Sequence, residues 1–196
     1  MIGQINRNSK LGEILYELSK QSDVNTIVEI GTWNGAGSTR CIIDGIKDSG
    51  VKKTFITLES NKEQYELALQ NLESFKEFVV PLYGRIIDVY DLTWLKSVTL
   101  GPEQQQWLWE DVEGYKECPN VLDKIPQQID LLLLDGGEFS TVPEFIKLKS
   151  KYKYLVLDDI TALKCKEINN QLSNRKDHVL VKTDSERNGF SVFKKI

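Results

Sequence analysis

The stretch VEIGTWNGAGST at 28–39 decides how the rest of the chain is read. An apolar run, NTIVEI at 25–30, leads into it, and a helical pattern, TRCIIDGIKD at 39–48, leads out. Strand, glycine-rich turn and helix in that order form the opening βα unit of a nucleotide-binding fold. The glycines fall at 31, 35 and 37, a G-x-x-x-G-x-G spacing. A dinucleotide turn needs G-x-G-x-x-G, in which missing side chains let the backbone close on a pyrophosphate. Trp33 and Ala36 stand where that fingerprint has glycine. Glu29 would repel a pyrophosphate as well, whereas it would attract an ammonium group.

On either side of the turn the pattern alternates. Leu11, Ile14, Leu15 and Leu18 fall at helical spacing, so SKLGEILYELSK at 9–20 is read as an amphipathic helix. The first strand covers Thr26–Ile30, and KTFITLES at 53–60 supplies a second that stops at Glu59. Asn61, with Glu63 close behind, caps a helix in which Tyr65, Ala68, Leu72 and Phe75 repeat every three to four residues. EFVVPLYGRII at 77–87 is a third strand, with Pro81 near its edge or end. IDLLLLD at 129–135 is read as a continuous buried strand, as in a parallel sheet covered on both faces. VPEFIKLKSKY at 142–152 follows as a helix, and YLVLDD at 154–159 as the fifth strand. The segment 177–196 reads as two strands around a turn at Asn188-Gly189. The expected fold is α/β and Rossmann-like, one domain over 1–196. Its sheet is mostly parallel and seven-stranded, with helices on both faces and a C-terminal antiparallel hairpin.

The segment 88–128 is long for a crossover and carries Trp94, Trp107, Trp109 and Tyr115. Loops of that length are functional or disordered, and aromatics argue against disorder. Two readings stand open: a helix patching the sheet edge, or a cover over the substrate.

Composition excludes several classes. With 25 basic and 29 acidic residues the net charge is −4, so no broad nucleic-acid footprint is expected. The longest apolar run is far short of a membrane span. The first ten residues, MIGQINRNSK, lack the apolar core of a signal peptide. Cys41, Cys118 and Cys165 are scattered and odd in number, which fits a reducing cytoplasm. His178 is the only histidine, so a zinc site or a Ser-His-Asp triad is poorly supplied.

The predicted strands end in acids. In open α/β sheets ligands sit beyond the carboxyl ends of the strands. Those ends carry Glu29, Glu59, Asp135, Asp158 and Asp159. Each alone reads equally as a solvated residue or a helix cap, Asp159 for the helix at 160–172 in particular. Glu59, 28 residues after Gly31, can accept both ribose hydroxyls of an adenosine. NAD-binding folds share that feature, so the turn decides: an adenosine with a cationic end and no phosphates, as in S-adenosylmethionine. Asp135, Asp158 and Asp159 would repel one another unless a divalent cation relieved the cost, and hard oxygen ligands suit Mg²⁺.

VEIGTWNGAGST, TLES, LLLLDGGE and YLVLDD resemble the motifs of class I S-adenosylmethionine-dependent methyltransferases, specifically the macrocin-type O-methyltransferases. They resemble the catechol and caffeoyl-CoA O-methyltransferases more distantly. The resemblance runs from 25 to about 168. It implies that Asp135, Asp158 and Asp159 ligate Mg²⁺ and that Glu29, Gly31 and Gly35 flank the methionine part. It also implies that Glu59 holds the ribose and that 84–87, with Arg85 and Ile86, lines the adenine. Thr32, Trp33, Ser38, Ser60 and Asp135 complete the implied cofactor site. Macrocin-type enzymes carry a histidine three residues after the strand-four aspartate, and catechol-type enzymes a lysine; here the residue is Glu138. Glu138 is therefore a candidate base beside Asp135, with ligation of the metal or loss of activity as alternatives. The implied function is O-methylation of a small hydroxylated molecule, a sugar or glycosylated metabolite, by a cytoplasmic enzyme that is open to homodimerisation. A non-catalytic adenosine-binding module and an NAD-dependent oxidoreductase are the rival readings.

Overall fold

A computed structural model describes residues 5–89, 91, 92, 95 and 98–196. Seven strands form one sheet: β1 (Thr26–Ile30), β2 (Thr54–Glu59), β3 (Val80–Tyr83), β4 (Ile129–Leu134), β5 (Tyr152–Asp158), β6 (His178–Asp184) and β7 (Phe190–Lys195). Their order is β3-β2-β1-β4-β5-β7-β6. The first five run parallel, and β7 pairs antiparallel with both β5 and β6. The expected mixed sheet with its terminal hairpin is what the chain forms.

Alternate residues of the central strands point to opposite faces. Ile27, Leu131, Leu133 and Val156 pack with Leu15, Ile42 and Leu72. These come from α1 (Lys10–Lys20), α2 (Ser38–Ser49) and α3 (Lys62–Leu72). Val28, Leu132, Leu134 and Leu155 pack on the other face with Tyr115, Phe145 and Ile168. Those belong to α4 (Pro102–Glu117), α5 (Thr141–Leu148) and α6 (Leu163–Ser173). Full burial on both faces is why β4 reads as an apolar run over Leu131–Leu134. Caps fix the starts: Ser9 accepts from the Gly12 N–H and Asn61 from the Gln64 N–H.

Three boundaries depart from expectation. β3 stops at Tyr83 instead of running to 87. There the chain leaves the sheet, and Arg85 pairs instead with Asn120 in an isolated parallel bridge. The α5 helix ends at Leu148, because Tyr152 already begins β5. Asp159 is not the cap of α6; that position is Ala162, whose N–H bonds to the Asp159 carbonyl. Among the described residues no helix is long and apolar enough to cross a membrane.

The strand order reverses between β1 and β4, and the crevice at such a switch point is where open α/β sheets bind ligands.

Candidate active site

At that crevice lies a cavity of about 530 Å³, within the range of small-molecule sites. The turn after β1 forms one wall. Gly31 has φ +101°, and a Cβ there would lie 2.2 Å from the Asp135 carbonyl oxygen. Only glycine fits this position. The Gly31 and Thr32 N–H groups both bond to the Leu58 carbonyl, tying the turn to β2. Gly35, at φ +73°, turns away from the cavity and closes against Leu72 of α3.

Glu59 closes the β2 end of the cavity. One of its oxygens accepts from the Trp33 N–H at 2.7 Å and the other from the Asn61 N–H at 2.8 Å. Burial pushes its pKa up, while these backbone donors favour the charged form. Each oxygen keeps a lone pair for a further donor, as ribose recognition requires. Ser60, Gly84 and Arg85 adjoin it on the wall. Arg85 is itself held by the carbonyls of Tyr115, Cys118 and Ile87.

Glu29 corrects the expectation placed on it. It is fully buried and does not line the cavity. Its carboxylate accepts from Ser38 (2.5 Å), Thr39 (2.6 Å) and Thr57 (2.6 Å), binding β1 to β2 and to the first turn of α2. Three hydroxyls leave no need for a ligand ammonium. Ile86 is likewise fully buried, and its neighbours Gly84 and Arg85 line the cavity in its place. Thr32, Trp33, Ser38, Asp135 and Asp159 line the cavity.

Glu138 is the second correction. Its side chain does not reach the cavity wall; Oε1 accepts from the Leu163 N–H at 3.1 Å. Ala162, at the N-cap of α6, offers no side-chain acceptor, so Glu138 caps that helix from a distance.

Residues that the sequence reading passed over complete the wall. Asp111 and Tyr115 of α4 and Glu144 of α5 line it. Glu144 is buried, and its Oε2 has no hydrogen-bond partner among the described residues. Burial raises its pKa to about 8, with Glu59 and Asp111 adding to the shift against Lys164. Asp111 is raised to about 6 by burial and by Glu110. A Cβ on Gly136 would lie 3.0 Å from Glu144 Oε2, so the absence of a side chain there leaves room for this carboxyl. The 88–128 segment thus contributes a wall through α4, while its Trp107 and Trp109 face solvent. Trp94 lies outside the described residues.

At the far side, Asp135, Asp158 and Asp159 converge, with one oxygen of each within 4.8 Å of the others. They are not unpaired. Lys164 Nζ lies 2.9 Å from both Asp135 and Asp159, and Arg187 Nη2 lies 3.0 Å from Asp158 and 3.3 Å from Asp159. Burial and the two neighbouring aspartates push Asp158 up to about 7. Burial opposes ionisation of Asp159 too, but Lys164 and Arg187 outweigh it and hold that carboxyl below the ordinary range. A divalent ion fits this donor set only if Lys164 is displaced. Trp33, Asp159 and Arg187 are the non-glycine residues with positive φ among those described, and all three line the cavity. Strain of this kind gathers at functional sites.

No protein-family model and no curated protein sequence matches the chain. Solved structures do match its fold. A putative caffeoyl-CoA O-methyltransferase from Staphylococcus aureus superposes at TM-score 0.66 and 15% identity, over 100% of this chain and 86% of its own. An O-methyltransferase from Bacillus cereus, solved in complex with SAH, gives 0.64 and 12% over 100% and 84%. One of tomaymycin synthesis from Streptomyces achromogenes, solved with SAM, gives 0.59 and 16% over 94% and 78%. The chain shares its fold with these structures. On that fold the cavity stands at the β1–β4 switch point, bounded by Glu59 and the acidic corner.

Proposed function

We propose that the protein is an S-adenosylmethionine-dependent O-methyltransferase acting on a hydroxyl of a small molecule, a sugar or glycosylated metabolite among them. The observation that carries this reading is the cavity itself. A ribose-accepting carboxylate, Glu59, and a side-chain-free turn at Gly31 share one wall, and a carboxylate corner faces them. The neighbours solved with SAH and SAM support it. When bound, S-adenosylmethionine supplies a methyl group on a positively charged sulfur.

The chain's own residues do the rest. Glu59 accepts from the ribose hydroxyls. Asp111, Asp135 and Asp159 line the cavity with Glu59, against Arg85 and Arg187, while Glu144 holds its proton at neutral pH; the ionised carboxylates favour a cationic ligand over a phosphate. Asp135, on the wall and with its pKa raised by burial, is the carboxylate that would take the acceptor hydroxyl's proton as that oxygen is methylated, whereas Lys164 and Arg187 hold Asp159 too acidic to do so. Glu138 has no part in this step, because its carboxylate caps α6. Mg²⁺, expected from the sequence, is not carried into the proposal, because Lys164 bridges two of its three ligands.

Calorimetry with S-adenosylmethionine, S-adenosylhomocysteine, NADH and ATP tests the donor, and release of S-adenosylhomocysteine with a panel of sugars, polyols and phenols tests the reaction. Preferential binding of NADH would overturn the reading. The engagement of Glu138 away from the cavity favours the non-catalytic module as the second reading; donor binding without turnover on the whole panel would select it.

A further inference from the structure

The corner where Asp135, Asp158 and Asp159 meet carries cations of its own. Three carboxylates this close repel one another unless something positive lies between them. Lys164 Nζ, 2.9 Å from Asp135 and 2.9 Å from Asp159, bridges the ends of β4 and β5. Arg187, reaching back from the β6–β7 turn, closes the side of Asp158 and Asp159.

Helix preference does not explain the lysine. Lys164 is the second residue of α6, where the helix dipole disfavours a cation, and the first turn of that helix contains no acidic residue. Its side chain is buried, and an ammonium buried without partners is too costly to keep. The carboxylates hold it there. Glu138 supports the arrangement from the other side, since its bond to the Leu163 N–H fixes the turn that presents Lys164.

We propose that Lys164 is the resident cation of this corner, in the place a divalent metal would take, and that the corner binds no such metal. That turnover is then metal-independent rests on the methyltransferase reading above; the occupancy of the corner does not.

Manganese(II) titration followed by electron paramagnetic resonance tests this on the whole protein and needs no acceptor. The wild-type protein is expected to show no saturable site. Lys164→Ser removes the ammonium and leaves room for water. It is expected to gain a saturable Mn²⁺ site, roughly tenfold tighter or better than any wild-type binding, and Asp158→Asn in that background should abolish it. A saturable wild-type site that Asp158→Asn removes would overturn the proposal, and so would a folded Lys164→Ser protein that gains none. If Lys164→Ser does not fold, the wild-type titration alone decides. Calorimetry with S-adenosylhomocysteine on the same samples keeps the two readings apart. Failure of that ligand to bind sinks the methyltransferase reading whatever Mn²⁺ does.

Discussion

The two halves of the cavity are built in different materials. The donor half is backbone: Gly31 and Thr32 bond to Leu58, Trp33 and Asn61 bond to Glu59, and Gly31 packs directly on the Asp135 carbonyl. The acceptor corner is side chains drawn from β4, β5, α6 and the β6–β7 turn, held by ion pairs among Asp135, Asp158, Asp159, Lys164 and Arg187. A backbone cradle tolerates almost no change at its contact points. A charge cluster tolerates exchange of one cation for another, which is the freedom the Lys164 proposal relies on.

The comparison breaks first at Gly31. Gly31→Ala puts a methyl group 2.2 Å from the Asp135 oxygen at φ +101°, and is expected to cost at least about 3 kcal/mol or to prevent folding. Chemical denaturation reads this directly; a cost below about 1 kcal/mol would show that the cradle is not rigid. Glu59→Ala comes next. It leaves the Trp33 and Asn61 N–H groups and two ribose hydroxyls without their acceptor, so affinity for S-adenosylhomocysteine should fall by roughly 10- to 100-fold. Unchanged affinity in a folded variant would remove Glu59 from the donor half.

Glu144 sharpens the comparison through pH. Its pKa rises from 4.5 to about 8 on folding. Between those values the folded protein holds a proton that the unfolded chain releases, so this group's contribution is present below the lower value and is lost as pH rises through the upper one. Its side of the cavity also holds Glu59, Asp111, Tyr115 and Lys164. Glu144→Gln keeps the shape without the charge. Its stability relative to wild type should grow between pH 5 and 8.5, by on the order of a few kcal/mol, in denaturation curves run across that range. Parallel pH profiles for the two proteins would refute the assignment. The smallest effect is expected at Glu138. Glu138→Ala should lose about 1 kcal/mol of stability as the α6 cap goes, and Glu138→Gln less, with kcat within a fewfold of wild type. A loss of about 100-fold in kcat for Glu138→Gln at unchanged Tm would return Glu138 to the chemistry.

What could be read in advance follows the same division. β1 was legible to the residue because a buried apolar run met a glycine turn, and Asn61 because capping is local chemistry. Glu59 at the end of β2 was legible because strand and turn fix it within its own segment. Glu29 was misplaced because its three hydroxyl partners include Thr57 on β2, whose alignment with Glu29 only the strand register reveals. Lys164 and Arg187 were invisible for the same reason. Their carboxylates lie on other elements, and nothing in an apolar period marks a lysine that turns inward. One local signal was available: a lysine in the first turn of a helix sits against the dipole and asks for a partner. Glu144 left a fainter trace, an acid on the buried side of a short helix.

Trp33 carries a consequence for how such a turn changes its ligand over generations. With φ at 51°, it already holds a backbone shape that glycine adopts without strain, and its side chain is 54% exposed, so little packing depends on it. Position 33 is also one of the two places where the turn departs from the dinucleotide fingerprint. A glycine would thus keep this backbone once the exposed indole is removed, and one base change in the tryptophan codon yields glycine. At that residue the turn lies one mutational step from a further glycine of the dinucleotide pattern.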